Sequence, residues 1–472
     1  MSVTHTPRTR PADGEFALPE TVTPALPPVD SFTGLDLPAS VQRVLAELGV
    51  REPFPVQAAT LPNALAGRDV LARARTGSGK TLAFGLALLV RTAAGTATPG
   101  GRAGAKQPLA LVLVPTRELA QQVTEALAPY AQALKLRIAT AVGGLAINRQ
   151  AAALKEGAEV LVATPGRLKD LVERRDCRLD RVGITVLDEA DQMCDLGFLP
   201  QVTEILDLVR PDGQRMLFSA TLDRNVDLLV HRYLNDPTVH SVDPSAGAVH
   251  TMEHHVLQVH AADKYATATE IAARDGRVLL FLDTKVAVDR FTRHLRDSGV
   301  RAAALHGGKS QPQRTHTLAQ FKKGEITALV ATNVAARGIH VDELDLVVNL
   351  DPPADAKDYL HRGGRTARAG ESGKVVTLVT ANQRRDLARL LAEAGIRAEV
   401  TQVRSGEAEL TRITGAKAAP AGAGGRGAKG GAAPERAFRG LGARPAKETR
   451  KAAEARKTAE ARRAARIRRG AP

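Results

Sequence analysis

The sequence predicts an α/β protein of two successive units, each a parallel sheet covered by helices, followed by a disordered basic tail. Three observations predict it. Short, fully apolar runs such as Leu109–Val114 and Val278–Leu282 alternate with longer amphipathic stretches. Strands read this way when crossover helices bury both faces of their sheet. The alternation occurs twice, interrupted by the linker-like run Ser-Val-Asp-Pro-Ser-Ala-Gly-Ala-Val-His at residues 241–250. Beyond about Arg404 the chain turns to Gly, Ala and Arg and the apolar periodicity stops.

Taken in order, residues 1–30 are rich in Pro and Thr and are expected to be a disordered extension. A helix follows, with Val41, Val44, Leu45 and Leu48 at helical spacing and Gly49 as its stop. Residues 95–107 read as a surface loop. The first unit, 59–240, then carries strands at Leu109–Val114, Arg137–Val142, Val160–Ala163, Gly183–Leu187 and Arg215–Phe218, with a helix over Glu118–Leu134. The second, 251–403, carries strands at Val278–Leu282, Arg301–Leu305, Ala328–Ala331, Leu346–Asn349 and Val375–Val379. Its helices are expected at Lys285–Ser298, Gln311–Lys323 and Asn382–Glu393. Residues 404–442 are expected to be disordered, and 445–469 could form a charged helix with no apolar face to anchor it.

Composition narrows the class. The 472 residues suit two or three domains, and 43% hydrophobic residues give each a core. Only Cys177 and Cys194 are present, which argues against a disulfide framework or a zinc site and for a reducing compartment. No apolar run approaches a membrane span, and the N-terminus lacks the pattern of a signal peptide. A cytoplasmic protein without a membrane partner is the expectation. The net charge of +15 points to a polyanionic partner. Residues 405–472 hold 17 Lys/Arg and 6 Glu, a net of +11, so the tail carries most of it.

The chemistry starts at Ala74-Arg75-Thr76-Gly77-Ser78-Gly79-Lys80-Thr81. An apolar run precedes it and a helical pattern follows, the strand–loop–helix context of a phosphate-binding loop; alanine stands at the usual first glycine. Small residues let backbone N–H groups converge on phosphate oxygens, and the helix start adds its positive end. Lys80 would hold the β/γ-phosphates of ATP and the Thr81 hydroxyl would ligate Mg²⁺. An ordinary glycine turn before a helix is the plainer reading of the motif by itself. Asp188-Glu189-Ala190-Asp191 ends an apolar strand, where open parallel sheets bind ligands. Asp188 would position Mg²⁺, and Glu189 would orient or deprotonate an attacking water. An acidic helix cap would use the same residues.

With Ser219-Ala220-Thr221 following in order, the chain resembles the DEAD-box ATP-dependent RNA helicases (superfamily 2, bacterial type) over roughly residues 32–403. The resemblance implies two RecA-like domains, with ATP in the cleft and RNA across both. Residues 31–58 would be the adenine-reading segment, with Gln57 on the adenine edge and Phe32 packing on the base; core packing is the alternative for Phe32. Phe54 stands where the family usually has Thr, and Val56 where it has Ile. By the same resemblance, Thr116, Arg117, Gly143, Gly144, Thr164, Pro165, Gly166 and Arg167 would contact the RNA backbone from the first domain. Gln311, Arg314, Thr332 and Gly338 would do so from the second.

Arg365 and Arg368 resemble the arginines that reach the γ-phosphate from the second domain. Asp191, Ser219, Thr221 and His361 would couple the ATP and RNA sites. Four departures stand out here: Gly363 for Ile, Ala367 for Gly, Asn333 for Asp, and His340 for the aspartate that meets the ribose. The implied protein is a monomer that unwinds or remodels short RNA duplexes with ATP and Mg²⁺, gripping RNA without regard to sequence. Ribosomal or RNA-decay proteins are its expected partners. An ATP-gated RNA clamp, or an annealing chaperone working through the basic tail, is the competing class.

Overall fold

A computed structural model describes residues 22–74, 77–97, 101–241, 252–336, 344–366 and 373–420. Two seven-stranded sheets form, both within one compact unit. The first comprises β1 (Val70–Arg73), β2 (Ala110–Leu113), β3 (Ile138–Ala141), β4 (Val160–Ala163), β5 (Ile184–Asp188), β6 (Gln214–Ser219) and β7 (Thr238–Ser241). Its order is β3-β4-β2-β5-β6-β1-β7, with every pairing parallel. Successive residues of β1 point to opposite cores: Val70 and Ala72 into one, Leu71 into the other. That two-sided burial is why these strands are apolar at every position.

Around this sheet lie α1 (Ala39–Glu47), α2 (Pro55–Leu65), α3 (Lys80–Thr96), α4 (Arg117–Ala133), α5 (Ile147–Lys155), α6 (Pro165–Glu173), α7 (Ala190–Asp195), α8 (Leu199–Leu206) and α9 (Arg224–Tyr233). α1 buries Val41 and Leu45; Leu48 lies beyond its end and is exposed, and Gly49 turns the chain at φ +71°. In α2, Pro62 has no N–H to give the Ala58 carbonyl. The Val29 N–H takes that carbonyl at 3.2 Å. Residues 22–30, expected to be disordered, are thereby tied to the domain, helped by Leu26 N–H donating to Asn63 Oδ1 at 2.9 Å. Residues 1–21 lie outside the described residues.

The second sheet comprises β8 (Met252–Gln258), β9 (Val278–Phe281), β10 (Ala302–Leu305), β11 (Ala328–Ala331), β12 (Leu346–Asn349), β13 (Gly373–Val379) and β14 (Glu399–Gln402), in the order β10-β11-β9-β12-β13-β8-β14. Its helices are α10 (Lys264–Ala272), α11 (Lys285–Asp297), α12 (Gln311–Lys322), α13 (Asn333–Ala336), α14 (Ala356–Gly363), α15 (Arg384–Glu393) and α16 (Ala408–Thr414). The expected end at 403 is corrected here. α16 buries Leu410 and Ile413 in the same core as Val278 and Leu280. Lys417 N–H then donates to the Glu270 carbonyl at 3.0 Å. Two apolar residues per short helix suffice once a neighbouring core receives them, although the surrounding composition reads as low complexity. The linker residues 242–251 and the tail from 421 lie outside the described residues.

Candidate active site and its cross-domain partners

Strand order assembles the site. β5, β6 and β1 are adjacent, so their carboxyl ends bring Asp188, Ser219 and the loop before α3 together across more than a hundred residues of sequence. The loop docks on β6 through Ala74 N–H to the Ser219 carbonyl, 2.9 Å. Gly77 and Gly79 take φ +88° and +89°. A Cβ at Gly79 would lie 2.5 Å from Gln57 Nε2 and 2.7 Å from a Phe54 ring carbon, so glycine is required there on both counts. Arg75 and Thr76 lie outside the described residues; Ser78 and Thr81 flank Gly79–Lys80 as expected.

Lys80, 5% exposed, sits among acids. Its Nζ is 3.0 Å from Glu189 Oε1 and 3.7 Å from Asp188 Oδ1. Burial pushes the Asp188 carboxyl up to about 6, with Lys80 opposing. Burial also works to raise Glu189, but Lys80, Arg365 and His361 hold it below its usual range. Glu189 adopts φ +54°, a left-handed conformation uncommon for a residue with a Cβ, where β5 turns into α7.

The expected coupling residues meet. Thr221 donates from both N–H and Oγ1 to Asp191 Oδ2, at 2.9 and 2.8 Å. Asp191 N–H donates to Ser219 Oγ at 3.2 Å. His361 Nε2 of α14 stands 3.6 Å from the same Asp191 oxygen. Arg365 follows on α14's exit, buried, with its Nε donating to the His361 carbonyl at 3.3 Å. Arg362 serves the fold instead, lying over the Phe281 ring and donating to Asn349 Oδ1 and the Asp351 carbonyl. Arg368 and His340 lie outside the described residues.

The two residues expected at the adenine both have protein surroundings. Phe32 is 4% exposed and packs in the first domain's core. Gln57 donates from Nε2 to the Gly79 carbonyl at 3.0 Å and accepts Phe54 N–H at 2.9 Å. Its amide therefore ties α2 to the phosphate loop, with one N–H and one oxygen lone pair left over from these two bonds. The aromatic exposed beside the loop is Phe54, 47%.

The expected RNA contacts divide. Thr116 caps α4 through Leu119 N–H, and Gly143 and Gly144 pack on the Arg117 guanidinium, where a Cβ at 144 would lie 2.0 Å from Nη1. Arg167 donates to the Leu145 carbonyl at 2.9 Å; Thr164, Pro165 and Gly166 form the turn into α6, with open space beside Gly166. Thr332 N–H donates to the Leu305 carbonyl at the end of β10. Gly338 lies outside the described residues. Arg117, Gln311 and Arg314, expected on RNA phosphates, are engaged with one another across the domains. Arg117 Nη1 donates to Gln311 Oε1 at 3.3 Å, Gln311 Nε2 to Glu118 Oε1 at 3.0 Å, and Arg314 pairs with Glu118 Oε2 at 2.9 Å. Glu118, 6% exposed, is the residue that sequence reasoning missed. Its cue was an acid within a run otherwise suited to a polyanion.

Residues 54–229 match the DEAD/DEAH box helicase model, and residues 263–370 the helicase conserved C-terminal domain. The chain is 39% identical over 377 residues to ATP-dependent RNA helicase DBP2 of Debaryomyces hansenii, covering 78% of this chain and 69% of that protein. It is 39% identical over 423 residues to the pre-mRNA-processing ATP-dependent RNA helicase prp5 of Aspergillus terreus, covering 84% of this chain and 35% of that one. The chain thus spans about a third of that longer relative. Among solved structures, S. cerevisiae Dbp5 bound to RNA and ADP BeF3 superimposes with a TM-score of 0.72 at 27% identity, covering 82% of this chain and 100% of that one.

Proposed function

Because the chain belongs to the DEAD/DEAH box helicase family, we propose that it is an ATP-dependent RNA helicase that grips RNA backbone and locally unwinds or remodels short duplexes. The observation that carries the reading is the convergence on the Asp188–Asp191 acids of Lys80 from one domain and His361 from the other, with Arg365 bonded to the His361 carbonyl. A single-domain ATP binder has no use for the second set.

The chain's own residues supply the steps. The N-terminus of α3 and Lys80 receive the phosphates of ATP. Lys80 leaves Glu189 for them, which frees the carboxylate to orient a water and take its proton. Arg365, arriving with the second domain, meets the charge that develops on the transferred phosphoryl group. Asp191, bonded to Thr221 and facing His361, reports that arrival to the segment after β6. Closure is favoured only when both ligands are present, and product release reverses it. The donors fit a magnesium ion: Asp188 is a buried carboxylate raised by its burial with only Lys80 to oppose, and Thr81 adds a hydroxyl oxygen. Asp188 and Thr81 would hold the ion, which would neutralise phosphate charge when bound.

The same reading makes the protein a monomer of the cytoplasm, with ribosomal or RNA-decay proteins choosing its RNA. Among the described residues no helix is long and apolar enough to cross a membrane. The test is displacement of one strand of a short RNA duplex with ATP and with a non-hydrolysable analogue. Release that needs turnover supports the reading. ATP hydrolysis indifferent to RNA, with no displacement, refutes it.

A further inference from the structure

We propose that Lys357 is a cross-domain latch, a positioning residue that holds α14 against α7 and α9 and so sets how firmly the two domains close. The inference rests on the helicase reading for its consequence, not for its geometry. Lys357 lies in the first turn of α14, whose start is capped by Asp355 accepting Asp358 N–H at 2.8 Å. It precedes His361 by four residues, so the two share a helix face. His361 meets Asp191 on that face; Lys357 meets two further acids of the first domain. Its Nζ is 2.9 Å from Asp195 Oδ1, at the end of α7, and 2.7 Å from Asp223 Oδ2.

Asp223 divides its work. Oδ1 accepts the Asn225 and Val226 N–H groups at 3.0 Å and starts α9, while Oδ2 takes the lysine. The three side chains are 22%, 25% and 34% exposed, so the contact is shielded without being dry. Burial works against the lysine's charge, yet the two acids hold its ammonium above the usual lysine range. The first domain alone sets Asp195, Asp223 and Asp191 near one another. A cation among them is gained only when α14 docks, so the contact stabilises the docked arrangement over the undocked one. None of its partners belongs to the phosphate loop, so it acts on closure and not on chemistry.

The test uses the full chain carrying Ala152→Cys and Val286→Cys, both at exposed positions, labelled with a dye pair. The native Cys177 and Cys194 are buried, and burial pushes both thiols up to about 12, so the introduced thiols react first. Interdomain transfer efficiency and single-stranded RNA affinity are read with and without a non-hydrolysable ATP analogue. Lys357→Ala should lower the transfer efficiency with the analogue and RNA bound. It should also weaken analogue-dependent RNA affinity by about tenfold, the scale of two shielded ion pairs. RNA affinity without nucleotide, and the melting temperature, should stay put. Lys357→Arg should restore both readouts. Asp223→Ser, which keeps the helix cap and removes the charge, should reproduce the alanine effect. Equal transfer efficiencies in wild type and Lys357→Ala overturn the latch. Should wild type close with the analogue, and Lys357→Ala not, while RNA affinity ignores nucleotide in both, the latch stands and the helicase reading falls.

Discussion

Glu189→Gln separates the chemical role of this carboxylate from its structural one. The substitution keeps shape and leaves Lys80 a partner, since Asp188 Oδ1 is 3.7 Å away. Breaking a buried ion pair costs about 3–5 kcal/mol when it orphans a charge. Here Lys80 keeps Asp188 and His361 keeps Asp191, while Asp188 and Asp191 are relieved of repulsion from Glu189, which offsets the attraction that Arg365 loses. The left-handed backbone at φ +54° treats Gln and Glu alike. Stability should therefore change by no more than about 1 kcal/mol, a melting shift of at most roughly 4 °C. Turnover should fall about 10²- to 10⁴-fold, because an amide cannot take the proton of water. Lys80→Ala is the contrast. It leaves the acids without their ammonium and should cost the nucleotide-free protein about 3–5 kcal/mol, besides weakening nucleotide binding. The assay is RNA-stimulated phosphate release alongside thermal denaturation. Wild-type turnover in Glu189→Gln would refute its role; a melting drop as large as that of Lys80→Ala would refute the charge argument.

Asp188 is raised to about 6 in the fold, above its ordinary 3.8, so its charge destabilises the nucleotide-free protein above pH 6 and ceases to do so as pH falls toward 4. Asp188→Asn should accordingly raise the melting temperature at about pH 7.5, and by less at about pH 5. Gly363 is buried on α14, and a Cβ there would meet Val375 Cγ2 at an ordinary 3.4 Å. Gly363→Ala should stabilise the helix by about 0.5–1 kcal/mol, visible as a raised melting temperature without loss of turnover. His340→Asp should lower the KM for ATP by up to about tenfold, the worth of a charge-assisted hydrogen bond to the ribose; an unchanged KM in steady-state kinetics would count against it. Truncation after residue 420 should remove 15 Lys/Arg and 4 Glu, raise the KM for RNA and flatten its salt dependence. Truncation after 404 should also destabilise the second domain, because it discards buried Leu410 and Ile413. Equal affinity of full chain and 1–420 across a salt series would show that the tail does not bind RNA.

Elements that carry a local signal were legible before any coordinates. β4, β11 and β12 fall on the predicted residues, because a strand buried on both faces must be apolar throughout. β14 was not legible: as an edge strand with two exposed residues at its start, it lacks that signature. α16 was missed for a related reason, since it is short and lies in a Gly- and Ala-rich neighbourhood.

By itself the sequence determined which chemistry to expect, because phosphate cradling and water activation demand particular residue types at particular spacings, Gly79-Lys80-Thr81 and Asp188-Glu189, to which the family resemblance adds Arg365. It did not determine which long polar side chains touch one another. Gln57, Arg117, Gln311 and Arg314 have types that suit a ligand equally well as a protein partner. Only the strand order, which sets α3 beside β5 and β6, and the docking of α14 and α12 on the first domain, decided their partners. The physical reason is range: a motif is read within a few residues, whereas Glu118 and Lys357 acquire their roles from charges 196 and 162 or 134 positions away, brought within 3 Å.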